Sequence, residues 1–272
     1  MDSPNIDRMF SGSIAEIYDR YLVPLIFESY ADDLARRVGL RQPARILEIA
    51  AGTGVVTRRL AETLPPTSAI VATDLNRPML DRAAAVGTAR AVQWREADAM
   101  QLPFDDESFD AVVCQFGVMF FPDKAKAFAE TRRVLRPGGF FIFNVWDRIE
   151  QNEFADTVTE ALAAQFPDDP PRFMARIPHG YHDPSVIIQE LTQGGFHCSP
   201  EVVTLAARSR AESPHIPAIA YCQGTPLRGE IEARAPTRLG GASEIAADAI
   251  AKRFGTGAVD GKIQAHIIIV ER

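Results

Sequence analysis

The chain has 272 residues, 46% of them hydrophobic and 24% charged, with a formal net charge of −7. A chain of this size buries a full core without staples, and its acidic balance disfavours a grip on nucleic-acid phosphates. Cys114, Cys198 and Cys222 have no metal-site spacing and no apolar run is long enough for a signal or a membrane span, so a reduced cytoplasm, no metal and no membrane insertion are expected.

Residues 13–38 place Ile14, Ile17, Tyr18, Tyr21 and Leu22 at three- and four-residue spacing, an amphipathic helix that Pro24 should break or kink. Short apolar runs then alternate with helical stretches. Strands are expected at Arg45–Ala50, Ala69–Thr73, Ala91–Trp94, Phe109–Cys114 and Phe140–Val145. Helices are expected at Val55–Leu64, from Pro78 to Val86, and at Lys124–Leu135, the last stopped by Pro137-Gly138-Gly139. This alternation, with nearly continuous apolar strands, means a parallel sheet with helices on both faces.

The second half is less regular. Asn152–Gln165 and Pro184–Leu191 read as helices, and Pro167–Pro184 as a loop. Glu201–Ala206 and Ile263–Val270 read as strands. Residues 211–256 read as helices broken by Pro214, Pro217, Pro226, Pro236 and the glycines at 240–241.

The strongest local signal is Ile46-Leu47-Glu48-Ile49-Ala50-Ala51-Gly52-Thr53-Gly54, a buried strand, a small-residue turn and a helix start. Small residues let a ligand approach the backbone, and a helix N-terminus suits an anionic group. A plain strand–helix turn is the competing reading, and a dinucleotide fingerprint would want glycine where Thr57 stands. Asp74 ends the second strand about twenty residues on, where a carboxylate can accept ribose hydroxyls. A helix cap ahead of Pro78 is its competing role. The acidic loop from Glu96 through Asp98 to Asp110 could serve an adenine or simply face solvent.

From Arg45 to Val145 the chain resembles the class I S-adenosylmethionine (SAM)-dependent methyltransferases, in particular the ubiquinone- and menaquinone-biosynthesis-like small-molecule group. The glycine turn, Asp74, Asp98-Ala99, the Leu102-Pro103-Phe104 to Ser108-Phe109-Asp110 run and Leu135-Arg136-Pro137-Gly138-Gly139 carry the likeness, in that order. The resemblance implies an α/β, Rossmann-like, seven-stranded, mostly parallel sheet with helices on both faces and helical cap insertions. It implies one domain: an N-terminal cap over 1–40, a SAM-binding core over 41–149, and variable substrate-cap insertions at 150–183 and 207–260.

It also implies site roles. Ala50, Gly52 and Gly54 would form the turn under the methionine part of SAM, and Glu48 would hold that turn or reach the ammonium through water. Asp74 would take the ribose, with Leu75 and Met79 flanking the adenine. Asp98 would accept from the adenine amino group, with the Ala99 N–H facing the ring. Gln115 would lie near the sulfonium, and Tyr18 and Tyr21 would close over the cofactor. Ala50 departs from the family's glycine, and a Cβ at positive φ costs about 1–2 kcal/mol.

The acceptor is expected to be a small molecule. His179, His182 and His215 are the candidate bases, all in or beside the variable segments. Cys114-Gln115-Phe116-Gly117 replaces the Asn-Pro-Pro-Tyr tetrapeptide of many amino-methyltransferases. The leading expectation is methyl transfer governed by positioning, with S-adenosylhomocysteine as product. A SAM-binding protein with a non-methylating or regulatory role is the alternative, and a nicotinamide dehydrogenase fits less well.

Overall fold

A computed structural model describes residues 13–234 and 239–272. Pro236 lies outside the described residues.

From Ser13 to Arg41 the chain is helical throughout. α1 (Ser13–Ile17) passes into a π-helix, Tyr18–Phe27, which leads into α2 (Glu28–Arg41). Pro24 sits inside the π-helix and does not end the helical run. A residue with no N–H is accommodated where the hydrogen-bond ladder is already reset.

The strands are β1 (Arg45–Glu48), β2 (Ala69–Asp74), β3 (Gln93–Glu96), β4 (Phe109–Gln115), β5 (Leu135–Trp146), β6 (Glu201–Ala211) and β7 (Val259–Glu271). They form one seven-stranded sheet in the order β3-β2-β1-β4-β5-β7-β6. The pairings β1–β2, β1–β4, β2–β3 and β4–β5 are parallel. β7 runs antiparallel to β5, since Gly139 accepts from Arg272 while Asp147 donates to Gln264. Pairs Thr204–His266 and Arg208–Asp260 give β6 and β7 opposite directions as well.

α3 (Val55–Thr63), α4 (Arg77–Val86) and α5 (Lys124–Val134) connect the parallel strands. The chain winds outward from β1 to β3, then returns to lay β4 on the other side of β1. Right-handed crossovers therefore put the connecting helices on opposite faces.

Several boundaries differ from expectation. β3 covers Gln93–Glu96 and not Ala91–Trp94, because it is a largely exposed strand paired on β2 from Val71–Gln93 to Asp74–Glu96. Polar residues complete it where an apolar pattern cannot mark them. Pro137-Gly138-Gly139 does not precede the fifth strand but lies within it. The register jumps from Phe109–Leu135 to Ala111–Phe140, and Gly138 takes φ 77° in the irregular stretch. β6 extends to Ala211, with Arg208 and Arg210 bound to the Asp260 carboxylate at 2.7 and 3.1 Å.

The chain divides into two compact units. One holds Glu28–Val145, His182–Leu205 and Ala265–Arg272. Its interior contains Phe128, Phe141, Phe143 and Phe196, all buried, with Phe141 and Phe143 stacked at 4.6 Å. α8 (Pro184–Gln193) belongs here, capped by Asp183, whose carboxylate accepts from Ser185 N–H at 2.8 Å.

The other unit takes the described residues up to Phe27, with Trp146–Tyr181 and Ala206–Gln264. Its helices are α6 (Glu153–Gln165), α7 (Phe173–Arg176), α9 (His215–Gln223), α10 (Leu227–Arg234) and α11 (Leu239–Phe254). α7 interrupts the expected 167–184 loop, and Glu230 supports its start by accepting from Arg172 and Phe173 N–H. Pro217 and Gly240-Gly241 do not break helices. They lie in the first turns of α9 and α11, where N–H groups have no intrahelical partner. Among the described residues no helix is long and apolar enough to cross a membrane.

Candidate functional site at the carboxyl end of β1

β1 lies between β2 and β4, where the strand order reverses. In open α/β sheets this is the crevice that receives ligands. After Glu48 the backbone makes a left-handed turn, with φ 54° at Ala50, 57° at Gly52 and 82° at Gly54. The turn is tied to both neighbouring strands. Ile49 N–H donates to Val113 and Ala51 N–H to Thr73, each at 2.9 Å. Gly54 then opens α3 without a side-chain cap. A Cβ there would stand 3.0 Å from the Trp94 ring and 3.1 Å from Ala83, so glycine is needed for space as well as for φ.

Glu48 is buried beneath this turn, and the Thr57 hydroxyl donates to its Oε2 at 2.5 Å. Burial pushes its carboxyl up to about 8. The Thr57 hydrogen bond and the Arg58 charge oppose that rise, and Asp74 adds to it. Thr57 occupies the place of the missing third glycine and acts as the partner of the buried acid. The missing glycine is visible in the sequence, whereas the partner of the hydroxyl that replaces it is visible only in the fold.

Asp74 joins three segments. Its Oδ2 accepts from Gly52 N–H at 2.8 Å. Its Oδ1 accepts from the Asn76 N–H at 2.8 Å and the Asn76 amide at 3.3 Å. Its carbonyl accepts from Ala97 N–H at 3.0 Å. The glycine turn, the β2–α4 loop and the loop after β3 thus meet at one residue. Burial raises the carboxyl above its ordinary value, against the backbone hydrogen bonds that lower it. Beside it, Leu75 is half exposed, whereas Met79 is buried in α4.

Asp98 accepts from Met100 N–H through Oδ1 at 2.8 Å, and its carbonyl accepts from Gln101 N–H at 2.9 Å. Ala99 lies inside this turn, half-buried. Gln115 ends β4, half-buried and paired with Asn144 of β5. The Asn144 side chain, fully buried, accepts from Phe116 N–H at 2.9 Å and supports a φ of 50° at Phe116. Neither Asn144 nor Thr57 carries a motif that sequence reasoning could have used.

Glu48, Ala50, Gly52, Gly54, Asp74, Leu75, Met79, Asp98, Ala99, Gln115 and His182 belong to the unit holding Glu28–Val145, whereas Tyr18, Tyr21, His179 and His215 belong to the other. Tyr18 stacks on Phe27 at 5.2 Å, and Arg20 lies over the Tyr21 ring. His179 is buried, with Nδ1 2.8 Å from the Asp147 carbonyl. His182 is half-buried next to Asp183, and His215 is exposed at the start of α9. Among the described residues no cluster of three His, Cys, Asp or Glu side chains could hold a metal ion.

Residues 47–143 match the family model described as a methyltransferase domain. The ubiquinone/menaquinone biosynthesis C-methyltransferase UbiE of Ectopseudomonas mendocina is 36% identical over 135 residues, 48% of each chain. The chain thus spans about half the length of the curated relatives it matches. Among solved structures, the YcgJ protein from Bacillus subtilis aligns with a TM-score of 0.56 at 18% identity, over 90% of this chain and 99% of that one. The [4+2]-cyclase SpnF aligns with a TM-score of 0.53 at 18% identity, over 89% and 81%. At such identities these two likenesses concern the fold alone. The matched stretch, residues 47–143, is the one that carries the glycine turn, Asp74, Asp98 and Gln115, so the likeness to methyltransferase domains falls on the carboxyl end of the parallel strands.

Proposed function

We propose that the protein transfers a methyl group from SAM to a small-molecule acceptor. The observation that carries the reading is the Asp74 junction: one buried carboxylate gathers the glycine turn and both nucleoside-side loops at the ligand-binding end of the sheet.

The residues fit the cofactor. A carboxylate has about four lone-pair sites. The long Asn76 amide contact to Asp74 is the one a ribose hydroxyl would replace. Leu75, half exposed, offers apolar surface for the adenine. The carboxylate oxygen of Asp98 not bound to Met100 would accept from the adenine amino group. The left-handed turn and the open start of α3 would receive the methionine carboxylate, with its N–H groups as donors. Glu48 would hold the turn from below or reach the ammonium through water. Gln115 would line the sulfonium end.

Bound SAM would supply an electrophilic methyl group on a sulfonium. What remains for the chain is to hold an acceptor in line at near-attack distance and keep water out, which can supply roughly 7–11 kcal/mol. Acceptor recognition is assigned to the 150–183 and 207–260 segments, and Tyr18 and Tyr21 stand as cofactor candidates on the family resemblance alone. An acidic chain argues for a small molecule over a nucleic acid, and the unpaired thiols of Cys114 and Cys222 suit the cytoplasm.

Calorimetric titration with S-adenosylhomocysteine, followed by a metabolite screen that detects its release from SAM, tests the reading. Binding with turnover supports it. Binding without turnover across the screen would favour a non-methylating role, and no binding would overturn the cofactor assignment.

A further inference from the structure

The loop from Ala97 to Ser108 carries Asp98, assigned above to the adenine amino group, yet little regular structure of its own supports it. It is fastened from outside by the last turns of α5. Arg133 grips Glu130 with two parallel contacts, Nε to Oε1 at 2.8 Å and Nη2 to Oε2 at 2.9 Å. The pair then takes both main-chain groups of Leu102: Glu130 Oε2 accepts the N–H at 2.8 Å, and Arg133 Nη2 donates to the carbonyl at 2.9 Å. Arg133 Nη1 also donates to the Phe104 carbonyl at 2.7 Å and to Asp106 at 2.8 Å. The helix end completes the grip, as Glu107 and Ser108 N–H donate to the carbonyls of Arg133 and Val134. At its other end the loop hangs from the Asp74 carbonyl through Ala97 N–H.

We infer that Glu130 and Arg133 are positioning residues that set the place of Asp98 and thereby the protein's selectivity for an adenine over other bases. The inference rests on the cofactor reading above. The physical reason is that a guanidinium fork has a fixed geometry, so it holds two carbonyls and two carboxylates in one arrangement. Three residues separate Asp98 from Leu102, and the Asp98 carbonyl is bonded to Gln101, the residue before Leu102. Movement of Leu102 therefore moves the carboxylate.

The test compares S-adenosylhomocysteine with S-inosylhomocysteine, which has a carbonyl in place of the amino group. Asp98 favours the first and repels the second. The wild type should prefer the adenosyl compound by roughly tenfold or more, the effect of mispairing one charged hydrogen-bonding group. Arg133→Lys and Glu130→Gln should shrink that ratio toward one, and Asp98→Ala added to either should change it no further. Simple loss of folded protein lowers the binding-competent fraction for both compounds alike and leaves the ratio of affinities intact. An unchanged ratio in both variants would overturn the positioning role while leaving the cofactor reading in place. A wild type that binds both compounds equally would overturn it through the adenine assignment, and a wild type that binds neither, through the cofactor reading itself.

Discussion

Ala50 and Gly117 face each other so closely that only one of them can carry a side chain. A Cβ placed on Gly117 would lie 2.5 Å from the Ala50 Cβ and 2.8 Å from the Cys114 sulfur. Ala50 itself is held at φ 54°. The turn thus keeps a methyl group at a strained position, and the neighbouring strand end yields the space.

A coupled effect on the glycine turn follows. Gly117→Ala should cost about 1–3 kcal/mol, the usual price of overpacking a closed site. Ala50→Gly should be close to neutral, since relief of about 1 kcal/mol of left-handed strain is offset by added freedom in the unfolded chain. The double variant should recover part of the loss, but not all, because the Cys114 sulfur still crowds the new Cβ. Urea unfolding of the four proteins checks this. Strict additivity would show that the two residues do not meet as described.

Asp74 should matter to folding as well as to binding. Asp74→Ala removes the acceptor for two backbone N–H groups, Gly52 and Asn76. It should lower stability, and weaken S-adenosylhomocysteine by roughly 1–3 kcal/mol, as for a hydrogen bond to a charged group. Calorimetric titration of the folded variant with unchanged affinity would remove Asp74 from the ribose site.

Glu48 predicts a pH dependence of stability. Its folded carboxyl is raised to about 8, chiefly by burial, from an ordinary value of 4.5. The folded state therefore binds the proton more tightly than the unfolded state does. Stability should be greatest below about 4.5 as far as this group is concerned, fall as pH rises toward about 8, and level off above that. Thr57, Arg58, Asp74 and Cys114 are the groups whose interactions accompany it. Glu48→Gln, which keeps an acceptor for Thr57, should flatten the slope between pH 5 and pH 8. Denaturant curves at several pH values give the answer, and an equal slope in both proteins would mean that Glu48 is ionised in the fold.

Much of the sheet was legible because its central strands are apolar on both faces. Ile46-Leu47 and Val112-Val113 are buried, and period and punctuation mark such strands well. β3 and the ends of β6 were harder, since exposed strands tolerate Arg95, Arg208 and Arg210. Pro137-Gly138-Gly139 misled because local turn chemistry cannot reveal that parallel pairing resumes around an irregular stretch. In the site, Asp74 and the glycine turn were visible through their spacing. Thr57, Asn144 and the Glu130–Arg133 pair were not, because their partners are 9, 28 and 28 to 31 residues away and are reached only through the fold.

The histidines separate by their surroundings. The Asp147 carbonyl can only accept, so His179 carries its hydrogen on Nδ1 in that contact, and Nε2 is the proton-accepting nitrogen of the neutral ring. His179 is 4% exposed, and its ring lies 6.0 Å from that of Trp146. His179→Ala should therefore destabilise by about 1–3 kcal/mol, because it empties a buried ring site and leaves the Asp147 carbonyl with the longer 3.3 Å contact from the Asn152 amide. His182→Ala and His215→Ala, at half-buried and exposed positions, should stay within about 0.5 kcal/mol. If methyl transfer is governed by positioning, each single variant should lower kcat by less than about 10²-fold, the low end of general-base catalysis. A chelator should leave activity intact. Measuring stability and kcat on the same preparations keeps the two effects apart. A loss well beyond 10²-fold in folded His179→Asn, with S-adenosylhomocysteine affinity preserved, would make His179 a general base. It would then point to an acceptor that must shed a proton before its oxygen, nitrogen or carbon can attack.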